Sequence, residues 1–306
     1  MYYPFLKAPL NYTNNLQTQK EYAMNYILLS ISMLSMVFQN SLFNNVSKKN
    51  LSGKADTLYY NSCLYIVCVV LFGILALGGS ISAYSVGLGL LFGIVTMLSN
   101  FYKLSALSKG PMHITILITT SSMIIPAMSG FILFGEPFSI GKGIAILTLI
   151  LFIYLSLKRE KSEKIDKTWI FYCGAAFLFQ GIIGIIQKIH QSSVHKDELF
   201  LFLAVSFLLS FLFARIISKR EKSSYQFEKK QYIFAVICGI CTFIMNYLNL
   251  KLSGVLPSQF FFPLINGGSI ILTSLISITV FKEKITTLQL IGLISGIISL
   301  IFICIL

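Results

Sequence analysis

Apolar runs of about 20 residues recur along the whole chain between short polar breaks, and each is long enough to cross a bilayer core as a helix. They cover 24–46, 57–77, 84–107, 112–134 and 138–157, then 168–189, 199–217, 231–252, 256–281 and 287–306. The break KREKSEKIDK at 158–167 separates five runs from five. The pattern predicts an all-α membrane protein with ten transmembrane helices in two five-helix units, 24–157 and 168–306, joined by the charged linker 158–167. Residues 1–23 are polar and lack the cationic start and apolar core of a signal peptide, so they are expected to form a disordered tail. Met24, at the edge of the first run, is a candidate initiator, and the protein is expected to fold without the tail.

The two units resemble one another. Phe134, Gly135, Glu136 and Pro137 correspond to Phe281, Lys282, Glu283 and Lys284. A one-residue shift of register pairs Asn100 with Asn246, Leu104 with Leu250 and Pro111 with Pro257, and Phe38-Gln39 recurs as Phe179-Gln180. A unit that crosses the membrane an odd number of times leaves its copy inverted, so the expected plan is two inverted repeats.

Composition supports a bilayer as solvent: 56% of residues are hydrophobic, 11% are charged, and the mean hydropathy is +0.79. That excludes an ordinary soluble domain. The net charge of +13 sits in short loops and on no continuous surface, so it reads as loop charge beside anionic lipid and not as a nucleic-acid site. Most Lys and Arg, among them Lys48, Lys49, Lys158, Arg159, Arg215, Lys219 and Arg220, fall on odd-numbered connections. The positive-inside rule then puts both termini outside, against the cytoplasmic termini expected from relatives of the kind named below. Cys63, Cys68, Cys173, Cys238, Cys241 and Cys304 lie in or beside apolar runs and read as small hydrophobes; the Cys238–Cys241 CxxC has no second pair or nearby His. No metal or cofactor is expected.

The ends of the two units carry a family resemblance. A helix closing on Glu, a short turn, then an apolar helix with spaced glycines appears as FGEPFSIGKGIAILTLI and again as FKEKITTLQLIGLISGIISL. In this the chain resembles the drug/metabolite transporter superfamily in its ten-helix EamA-type form, over residues 25–306. The Pro positions that the family carries ahead of each Glu hold Met123 and Ile270, with prolines at Pro126 and Pro263 instead. The resemblance implies a multi-pass protein of the cell membrane that transports small metabolites. Related small multidrug resistance proteins couple to protons through a Glu in their first helix, where this chain offers Gln39 and Asn40.

Polar side chains inside the apolar runs are the natural lining of a transport path. The candidates are Gln39 and Asn40 on the first helix, joined there by Asn44, and Asn100 with Lys103 on the third. The second unit offers Gln180 on the sixth, Asn246 with Asn249 on the eighth and Asn266 on the ninth. Thr119, Ser122 and Ser269 extend the set. Packing glue between helices is the competing reading for amides and hydroxyls, at about 0.6–2 kcal/mol each, and snorkelling is the competing reading for Lys103. Phe260, Phe261, Phe262, Tyr102 and Tyr247 could wall a cavity. All Asp and Glu lie in loops or at helix ends, so no mid-span carboxylate serves as a proton carrier; Glu136 and Glu283 are expected to act in turns and caps.

The function expected is that of a secondary transporter or exporter of a small polar, amino-acid-like metabolite, working by alternating access around a midplane cavity. The alternatives are a lipid-carrier flippase or membrane assembly subunit and, in a different class, a membrane-embedded enzyme. The last finds His113, His190 and His195 only near helix ends, so no enzyme activity is expected. Expected partners are a small-molecule substrate and the lipid bilayer. Gly292-xxx-Gly296 suits a homodimer contact and internal packing equally.

Overall fold

A computed structural model of the chain describes residues 12–51, 53–136, 166–221 and 228–282, with 143–144, 147–148, 151, 286–288, 290–292, 294–295 and 298. Every regular element among them is helical. In chain order these are α1 (Tyr12–Asn50), α2 (Lys54–Leu75), α3 (Ala83–Lys109), α4 (Met112–Thr120) and α5 (Ile124–Leu133), then α6 (Lys167–Gln191), α7 (Leu199–Arg220), α8 (Lys229–Val255) and α9 (Ser258–Thr279). Eight spans among the described residues are long and apolar enough to cross a membrane, with α4 and α5 forming one of them. The chain is an all-helical, multi-pass membrane protein. The eight fall where the apolar runs predict them; the runs 138–157 and 287–306 lie outside the described residues except for single positions.

One boundary differs. The first apolar span begins at Ala23, but α1 runs back to Tyr12 through the segment expected to be a disordered tail. Gln, Lys, Glu, Leu and Ala in that stretch are good helix formers, and extending a helix already nucleated costs little.

Polarity is arranged inside out. Phe38 is 51% exposed and its neighbour Gln39 is 3% exposed, so apolar side chains face the lipid and polar ones turn inward. Caps close several helix ends. Ser82 accepts from Ser85 N at the start of α3, Asp166 accepts from Thr168 N at the start of α6, and Glu228 with Gln231 forms a capping box on α8. Pro111 and Pro257 end the preceding helices and occupy the N-cap positions of α4 and α9. Between α4 and α5 the chain tightens to a 3-10 turn over Ser121–Met123. Pro126 explains it, since its ring crowds the carbonyl four residues back, on Ser122.

The packing of the helices is paired throughout. α2 packs on α7; α3 packs on α6 as α8 packs on α1; α3 packs on α7 as α8 packs on α2. Two crossings depend on glycine. A Cβ at Gly93 would collide with the Ser206 carbonyl of α7, and one at Gly239 would lie 2.9 Å from the Leu64 carbonyl of α2. Ser210 Oγ donates to the Gly93 carbonyl (2.8 Å), and Cys68 Sγ lies 3.4 Å from the Gly239 carbonyl as donor. A large aromatic core around Tyr65, Phe72, Phe92, Phe202 and Phe207 fills the space between α2, α3 and α7. A second, around Leu29, Met123, Phe261 and Ile265, joins α1 to α9 and the α4–α5 break.

Candidate functional site

Helices α1, α3, α6, α8 and α9, with the α4–α5 break, surround a cavity halfway along the spans. Its volume is about 70 Å³, room for roughly five waters or a compact metabolite. Gln39 enters from α1, Asn100 and Lys103 from α3, and Gln180 from α6. Asn246 and Asn249 enter from α8, and Asn266 from α9. Asn40 does not line the cavity; it stands behind Lys103 and accepts from its Nζ at 2.6 Å. Residues far apart in sequence are thus gathered into one polar chamber.

Each amide is held by a neighbour. Gln39 Nε2 donates to Thr242 Oγ1, which itself donates to the Cys238 carbonyl at 2.8 Å. Across the cavity, Gln180 Oε1 accepts from Ser99 Oγ at 3.3 Å. Asn100 Nδ2 donates to the Tyr65 hydroxyl (3.0 Å) and Asn249 Oδ1 accepts from Ser32 Oγ (2.6 Å). Asn246 and Asn266 donate back to the carbonyls of Thr242 and Phe262 on their own helices, both at 2.9 Å. These single bonds fix the orientation of the amides and leave polar capacity unused. The hydroxyl of Thr96, which also lines the cavity, and Asn40 Nδ2 have no hydrogen-bond partner among the described residues.

Lys103 is 4% exposed and lies over the Phe43 ring, 5.9 Å from its centroid. A lysine inside a membrane helix is costly, up to about 2.5–3.5 kcal/mol at the helix centre on insertion scales, so its retention inside a polar chamber is informative. It does not snorkel: its ammonium turns to α1 and not to a helix end.

Compared with known proteins, the chain matches no family model and no curated protein. The fold is shared. A solved structure described as "Crystal structure of protein" overlays on 92% of this chain and 96% of its own, with a TM-score of 0.72 and 12% sequence identity. A likeness at that identity speaks of the fold alone.

Several expected residues sit elsewhere. Phe261 and Phe262 line the cavity, but Tyr102 stacks on Phe179 and Tyr247 on Phe200. Phe260 meets Tyr26 edge to face. Ser122 is in the lining, whereas Thr119 and Ser269 bond carbonyls of their own helices. Asn44 is fully buried, one turn from Asn40, and neither polar atom of its amide has a partner among the described residues.

Beyond the lining is a buried ion pair that the sequence did not signal. Glu136 accepts from Ser258 N and Oγ at the start of α9 and pairs with Lys188 Nζ of α6 at 2.9 Å. Lys188 also donates to the Ser253 and Leu256 carbonyls at the end of α8. Glu136 thus caps α9, a helix distant in sequence, while the start of the run 138–157 that it precedes lies outside the described residues. Because Gln187 and Phe262 line the cavity within about one turn of Lys188 and Ser258 on their own helices, the cluster ties the segment after α5 to α6, α8 and α9 at one end of the chamber.

Proposed function

We propose that the protein is a secondary transporter or exporter that moves a small polar metabolite across the cell membrane by alternating access around the midplane cavity. The observation that carries this reading is the cavity itself: amides from α1, α3, α6, α8 and α9 converge halfway across an otherwise apolar bundle, where polar groups are expensive unless they serve a path.

Alternating access needs two bodies that rock, and the reading includes ten helices arranged as two inverted five-helix repeats. Three features support it. The helix contacts occur in matched pairs across the two units. Gly93 and Gly239 stand at matching close crossings, offset as Asn100 is from Asn246. Gly135 and Lys282, the second residues of the two repeated turns, both have positive φ, 62° and 52°. For Lys that conformation costs about 1–2 kcal/mol, which a chain does not adopt without a structural demand. The resemblance of the two unit ends to the EamA-type drug/metabolite transporters points the same way.

Reconstitution into proteoliposomes tests the reading. Saturable uptake or counterflow of a soluble metabolite, abolished by Asn246→Leu together with Gln180→Leu, is the expected result. Movement of long-chain lipid carriers with no transport of soluble solutes would favour a flippase instead.

A further inference from the structure

We infer that the substrate carries net negative charge, with a carboxylate or phosphate that pairs with Lys103; this rests on the transporter reading above. Lys103 lines the cavity, and its ammonium contacts the neutral Asn40 carbonyl oxygen at 2.6 Å and the face of Phe43. Neither neutralises it. Among the described residues, Lys103 makes no ion pair and no Asp or Glu lines the cavity. The sequence extends this to the remaining expected spans, since 57–135, 138–157 and 287–306 contain no acidic residue.

Lys188, also buried among the described residues, makes the contrast. Lys188 is given a carboxylate at 2.9 Å and two carbonyls. Where the fold needs a lysine for structure, it supplies the counter-charge. At Lys103 it leaves the counter-charge to whatever enters the chamber. The matching of the two units sharpens the point, because the position corresponding to Lys103 is the neutral Asn249: only one of the two matched positions carries the cation. Thr96, Ser99, Asn100 and Lys103 share one face of α3 toward the cavity, and the Thr96 hydroxyl has no partner among the described residues, so the cation is flanked by groups able to bond an oxyanion. A substrate ammonium would find only neutral oxygens beside a fixed positive charge. The preference that follows is anion over zwitterion, and zwitterion over cation.

The test uses the full chain, as purified protein for thermal unfolding and in proteoliposomes for uptake. The probes are succinate and glycerol 3-phosphate as anions, alanine as zwitterion, glycerol as neutral solute and putrescine as cation. The variants are Lys103→Gln, Lys103→Arg and, as a control at the exposed start of α8, Lys229→Gln. Expected is a raised unfolding midpoint and saturable uptake with an anionic probe, weakened about tenfold or more in Lys103→Gln and retained in Lys103→Arg and in the control. Should Lys103→Gln fail to fold, the ranking of probes on the unmodified protein and on Lys103→Arg still decides. Saturable uptake of alanine, glycerol or putrescine with anions ignored would overturn the charge inference and leave the transporter reading standing. Anion binding unaltered in Lys103→Gln would overturn the role of Lys103. Failure of all five probes to bind or move would overturn both.

Discussion

At Gly93 the Ser206 carbonyl occupies the space where a Cβ would point, whereas at Gly87, on the same helix, nothing lies within 4 Å. The two positions therefore predict opposite outcomes for one chemical change. Gly93→Ala must push α3 from α7 and is expected to lower stability by about 1–3 kcal/mol. Gly87→Ala adds only helix propensity and is expected to be neutral or up to about 1 kcal/mol stabilising. Thermal unfolding of both variants in detergent checks this; equal effects would mean that the crossing has slack. The sequence signals such residues unevenly. Gln39, Asn100, Lys103 and Asn246 stand out because an amide or ammonium in an apolar run has a high cost and few reasons to be there. Ser99 and Thr242 hold the amides of the same cavity, yet Ser and Thr satisfy themselves on their own helix so readily that the pattern does not single them out. Gly93 and Gly239 were equally silent, since a glycine's importance lies in what approaches it.

Helices were more legible than their connections. The length and hydropathy of each run marked the eight described spans, because a bilayer imposes both. The cluster of Glu136, Lys188 and Ser258 was not legible, since it depends on three helix ends meeting in space. Any motion that separates α5 from α6 and α9 at that end must break the Glu136–Lys188 pair. Removing one partner leaves a buried charge alone, so Glu136→Gln is expected to cost about 3–5 kcal/mol, and Glu136→Gln with Lys188→Met less than the sum of the two single changes. A double-mutant cycle on unfolding midpoints measures the coupling, and additive losses would contradict it. Transport is a separate matter. With no carboxylate in the cavity lining among the described residues, the combination Glu136→Gln and Glu283→Gln is expected to leave any dependence on a pH gradient unchanged in proteoliposomes; loss of that dependence with expression intact would assign a coupling role to one of them.

For the whole molecule, the proposed mechanism is two bodies rocking about a shared polar chamber, a reading supported by the residues matched between the two units and by the paired helix contacts. The proposed internal duplication rests on a few matched residues, the turns that hold Glu136 and Glu283 and the amides Gln39 with Gln180 and Asn100 with Asn246. The central claim is that this chamber is an aqueous path and not a dry contact of packed helices. Cysteine accessibility tests it most directly. In a background lacking Cys63, Cys68, Cys173, Cys238, Cys241 and Cys304, cysteine is placed at Gln180 or Asn246 and, as a packed control, at Ala106, which is fully buried. A membrane-impermeant thiol reagent is then applied from each side of the membrane. The account predicts that the Gln180→Cys and Asn246→Cys proteins react from at least one side, that a transported substrate slows the reaction, and that the Ala106→Cys protein does not react. Lack of reaction from both sides at Gln180 and Asn246, in folded protein, would contradict it.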